Sequence, residues 1–174
     1  MHLPDPVAVL RHLLQYVRPG GVVAFREVLI SEPLFEAFPR CDLVERFNAW
    51  YVDYQVSALE ATGIDGRISL LLHRVFQVAG LSAPRMWIYA PVGSEPDWPG
   101  WEYLRQQTHM ISALAGRAGV DVPEELDPAT FAERVRGEVL ERRGILRLQR
   151  GVQAYAHKAG TSGETERCEP GDGV

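Results

Sequence analysis

The sequence predicts an α/β fold in which helices alternate with a few apolar strands, in the order helix, strand, helices, strand, helices, strand. Three observations carry that prediction. Apolar residues recur at helical spacing in segments that open on capping signals. Short β-branched runs stand between those segments, and glycine and proline gather at the junctions. At 174 residues, 46% hydrophobic and 24% charged, the chain has the length and composition of one ordinary domain with a core.

Asp5 is placed as an N-cap with Pro6 at the first helical position, and Val7, Leu10, Leu13, Leu14 and Val17 follow at helical spacing. "RPGG" ends that helix, Gly20 and Gly21 giving the turn its backbone freedom. "VVAFREVLI" then reads as a strand, apolar on both faces until Arg26 and Glu27, which suits a strand covered by helices on both sides. A loop carrying Phe35 and Phe38 leads to a long helix from Asp42 to about Thr62. In "GRISLLLHRVFQVAGL", Ile68, Leu71, Leu72, Val75 and Ala79 form a core-facing helical stripe ended by Gly80. "PRMWIYAPV" reads as a short buried strand. One helix is expected from Trp98 to about Arg117, with Trp98 and Trp101 stapling this insertion onto the sheet. Another starts at Asp127-Pro128 and turns Phe131, Val135 and Val139 inward. "LRLQRGVQAYAHK" is a closing strand, bent at Gly151. Residues 159–174 are polar and glycine-rich without periodicity, and are expected to be disordered.

The charge balance of 23 acidic to 18 basic side chains offers no electrostatic reason to bind nucleic acid or an anionic membrane. No apolar run approaches the roughly 20 residues that cross a bilayer. Pro4, Asp5 and Pro6 interrupt any signal-peptide layout, so a cytoplasmic location is expected. Cys41 and Cys168 are distant in sequence and are expected to be free thiols. His12, His73, His109 and His157 lack ligand spacing, so no metal is expected; Ser57, Ser69 and Ser82 lack a hydrolase context. "RVRGEVLERRG" interleaves acids and bases as a solvated helix face does.

Three units together resemble the second half of class I S-adenosylmethionine-dependent methyltransferases. "LPDPVAVLRHLLQYVRPGGVVAFREV" is similar to the helix, "rPGG" turn and fifth strand of that family. "ISLLLHRVFQVAGLSAPRMWIYAPV" resembles the next helix and the sixth strand. "GVQAYAHK" resembles the last strand, which in the family runs antiparallel between strands five and six. The resemblance covers nearly all of residues 2–158 and implies a partial Rossmann-like sheet, with strands five, six and seven and flanking helices over residues 1–158. It implies that the N-terminal half, with the glycine-rich loop and the acidic residues that hold S-adenosylmethionine, is missing. No GxGxxG-like stretch follows a strand here, so this chain alone is not expected to bind the cofactor. The edge of "VVAFREV", lacking its family neighbour, is expected to favour a homodimer or a complementing polypeptide.

What the resemblance implies for a site follows the rule that ligands of open α/β sheets lie beyond the carboxyl ends of the strands. That places Arg26, Glu27, Phe35 and Phe38 toward a small-molecule substrate. Glu27 is the candidate to orient or deprotonate it; the alternative is an end-of-strand carboxylate bonded to a helix N-terminus or an arginine. Phe47, Trp50, Tyr51 and Tyr54 form a candidate roof for an apolar substrate, the alternative being ordinary core at helical spacing. His2 and Leu3, just past the family's fourth strand, are candidates for the cofactor side. Two functions follow: a methyltransferase portion acting on a small molecule but inactive by itself, or a non-catalytic remnant that pairs through its open sheet edge.

Overall fold

The computed structural model describes residues 5–29, 32–62 and 68–160, so the tail expected to be disordered lies almost wholly outside the described residues, as do His2 and Leu3. Helix α1 (Pro6–Leu14) starts where its capping residues place it, with the Asp5 carboxylate accepting from the Ala8 N–H at 2.9 Å. It stops at Leu14, and Pro19, Gly20 and Gly21 turn the chain into β1 (Val22–Val28). β2 (Glu36–Phe38) precedes α2 (Asp42–Thr62) and α3 (Ile68–Val78). β3 (Arg85–Tyr89), β4 (Val92–Gly93) and α4 (Gly100–Arg117) follow. After one 3-10 turn at Glu124–Leu126 come α5 (Phe131–Glu141), β5 (Ile145–Arg147) and β6 (Gly151–His157).

The strands form two antiparallel three-stranded sheets, ordered β1-β6-β3 and β2-β5-β4. In the first, β6 runs antiparallel to both neighbours, pairing Phe25 with Ala154 and Ile88 with Val152, so β1 and β3 are parallel to each other. The second is a small mixed-length sheet made of pieces of two, three and three residues. It was not legible in the sequence, and it divides the expected closing strand: residues 145–147 join one sheet and 151–157 the other.

Two cores correspond to the two sheets. Leu10 of α1 and Leu72, Val75 and Phe76 of α3 pack on Val23, Val152, Ala154 and Ala156 of the first sheet. The second core joins α2, α4 and α5 around Phe47, Leu104, Phe131 and Val135. Three local expectations need correction. Among the described residues helices cover one face of β1: its residues alternate, Val23 and Glu27 buried, Val22, Ala24 and Arg26 exposed. β3 is not buried, for it forms a sheet edge and leaves Trp87 44% and Ile88 58% exposed. In α3 the inward stripe is Ser69, Leu72 and Phe76, spaced three and four apart with Val75 beside it, which rotates Leu71 out to 36% exposure. Gly80 does end α3 as expected: it adopts φ 98°, and Leu81 N–H reaches back to Phe76 O at 3.1 Å.

Candidate functional site

The chain passes from the first sheet to the second at the carboxyl ends of β1 and β3. Arg26 is placed there near the end of β1, exposed on the face opposite α1 and α3, and its guanidinium carbon lies 4.1 Å from the centre of the Tyr89 ring of β3. Gly151 at the start of β6 makes room for that ring: a Cβ on Gly151 would fall 2.5 Å from the Tyr89 hydroxyl. Tyr103 of α4 lies within electrostatic reach of Arg26. Burial pushes its hydroxyl pKa up, and the nearby Arg26 charge partly offsets this, so the phenol stays protonated at neutral pH.

Glu27, the next residue, points to the opposite face of β1 because strand side chains alternate. It is buried and engaged with a partner. Beside this junction, a cleft of about 500 Å³ opens between the loop at 33–36 and α2, lined by Pro33, Phe35, Asn48, Val52, Asp53 and Arg150 among others. Asn48 fixes its wall by donating to Phe35 O at 2.7 Å and accepting from Phe35 N–H at 3.3 Å, two bonds that imitate strand pairing. Arg150 Nε stands 2.9 Å from Glu32, near enough for an ion pair without the alignment of a hydrogen bond.

The rings of the candidate aromatic roof stay in mutual contact, Phe47 against Trp50 and Tyr51, and Tyr54 against both of these, but the cluster is mostly buried. Phe35 and Phe47 are fully buried, with ring centres 5.5 Å apart, and Phe47 packs on Phe131 at 4.8 Å. Tyr51 is buried with its hydroxyl bonded to Gln55, and burial drives its pKa well above the ordinary phenol value. Trp50 donates to Asp121 O at 2.9 Å and stacks on Tyr54. These rings are core, as the helical-spacing alternative has it, and only the partly buried Trp50 and Tyr54 keep surface to offer. Phe38 is 74% exposed in β2, paired with Ile145 and removed from that core.

The sequence does not single out Tyr89 or Tyr103, and marks Gly151 only as a bend in the closing strand. Tyr89 closes a strand and so falls under the rule that points to Arg26; Tyr103 has no such signal. Cys41 is a buried free thiol donating to Glu138 at 3.3 Å, and burial raises its pKa. Among the described residues no group of three or more His, Cys, Asp or Glu side chains is placed to hold a metal, and no helix is long and apolar enough to cross a membrane. No protein-family model matches the chain, and no curated protein matches it significantly.

Proposed function

We propose that this chain forms the C-terminal portion of a class I S-adenosylmethionine-dependent methyltransferase of the cytoplasm, acting on a small-molecule acceptor and inactive by itself. One observation supports the reading above others: β6 lies antiparallel between two mutually parallel strands, and the helices that precede β1 and β3 pack on the same sheet face. Three sequence units that resemble the family in order, together with that strand arrangement, are more specific than either alone.

The described residues do not fit S-adenosylmethionine. The only paired glycines, Gly20 and Gly21, precede a strand and bond to Lys158, whereas a cofactor-cradling loop follows a strand and opens a helix. No step of methyl transfer is therefore assigned to these side chains; on this reading the cradle comes from a segment that pairs with β1 and covers the bare sheet face. The second reading, a non-catalytic module that joins a partner through that edge, is favoured by the same exposed strand.

Translation of the DNA upstream of residue 1 in all frames tests the choice. A strand followed by a glycine-rich loop is expected, and the protein extended by that segment should bind S-adenosylmethionine in calorimetry while the present chain gives no heat. Unrelated sequence in every frame, or tight binding by the present chain, overturns the methyltransferase reading.

A further inference from the structure

One guanidinium at the junction of the two sheets differs from its neighbours. Arg147 is tied to Glu36 at 2.8 Å and Arg150 to Glu32 at 2.9 Å, so a carboxylate already answers each charge. Arg26 has no carboxylate at ion-pair distance among the described residues; its partner is the Tyr89 ring. Stacking on an aromatic face fixes the plane of a guanidinium and leaves its in-plane N–H groups for an acceptor. The platform is rigid, because Tyr89 is seated against Gly151 and paired through β3 to β6. Glu27 does not neutralise the site, since it lies on the other face of β1. The cluster therefore presents donors and positive charge, at the strand ends where open α/β sheets hold ligands.

We propose, resting on the methyltransferase reading, that Arg26 held over Tyr89 binds an oxyanion group, carboxylate or phosphate, on the small-molecule acceptor. Guanidinium forks match both groups in geometry, and charge-assisted pairs of this kind are the stronger hydrogen bonds.

The test uses the full chain and three probes of one shape: benzoate, phenyl phosphate and benzamide. Binding is followed by backbone amide shifts of β1 and β3 in every variant and, in the unaltered protein, also by the Nε–H resonance of Arg26, assigned by its loss in Arg26→Lys. Benzoate, phenyl phosphate or both should shift it, and which one does so identifies the oxyanion; benzamide should not. Arg26→Gln should weaken the binding roughly ten- to hundredfold. Tyr89→Leu keeps the charge but removes the platform, and should weaken it as well, with the folded state of both variants verified by amide spectra. Equal shifts with benzamide, no shift with either anion, or undiminished binding in folded Arg26→Gln overturns the proposal. The measurement needs no cofactor, so its failure is distinct from failure of the extended protein to bind S-adenosylmethionine.

Discussion

The Lys158 ammonium donates to the Leu14 carbonyl at 2.8 Å, and to that of Val17 at the same distance, so a residue just past the last strand caps the end of the first helix. The backbone reinforces this link: Gly20 N–H bonds to Lys158 O and Lys158 N–H to Gly21 O, each at 2.9 Å. The Pro-Gly-Gly turn is thus a joint that ties α1 to β6, and its role here is structural. A helix leaves its last carbonyls without partners, and a cation there answers both the hydrogen-bonding need and the dipole.

Replacement of Lys158 by methionine keeps the apolar stem and removes the donor. About 1–3 kcal/mol of stability should be lost, read as a lower urea midpoint with an unchanged slope. An unaltered midpoint would show that water serves those carbonyls equally well.

Arg143 adopts φ 51° at the end of α5, where the Gly144 N–H reaches Val139 O at 2.8 Å. A left-handed backbone costs a non-glycine residue about 1 kcal/mol or more, so Arg143→Gly should stabilise the protein by up to about 1 kcal/mol in thermal or chemical unfolding. The adjacent glycine behaves oppositely. A Cβ on Gly144 would lie 2.7 Å from the Phe38 carbonyl, and Gly144→Ala should destabilise by about 1–3 kcal/mol.

Gly151→Ala drives a methyl against the Tyr89 ring and should cost about 1–3 kcal/mol. Part of that loss should return in the double variant with Tyr89→Leu, because the obstructing ring is gone. Additive losses in the cycle would separate the two residues and remove Gly151 from the account of the site.

Glu102 is held down to about 2 by hydrogen bonds from Arg105, at 2.8 and 2.5 Å, and secondarily from Gln106. A carboxyl depressed in the folded state adds stability above its ordinary range near 4.5, and that contribution is lost as pH falls through about 2. The pair is exposed, so salt screens it and the contribution to stability is slight. Carbon-detected titration should show Glu102 ionised at pH 3.5, and Arg105→Gln should return it toward the ordinary value. A normal titration in the unaltered protein would mean that the pair does not persist in solution.

The sequence by itself determined what local chemistry governs. Asp5 and Pro6 fixed the start of α1, the spacing of Phe131, Val135 and Val139 fixed the buried side of α5, and Gly80 fixed the end of α3, since each depends on neighbours within a turn or two. Arg26 was legible as a residue near the carboxyl end of a strand because strand ends are legible. Tertiary structure alone decided the rest. Pieces as short as Val92–Gly93 have no periodicity to read, and they become strands only when β5 arrives from more than fifty residues away. Which aromatic rings keep surface and which fill a core depended on α4 and α5 closing over α2, and Tyr89 met Arg26 and Gly151 only through pairings remote in the chain. Side-chain spacing specifies a face of an element, but the partner of that face is set by contacts that no local pattern records.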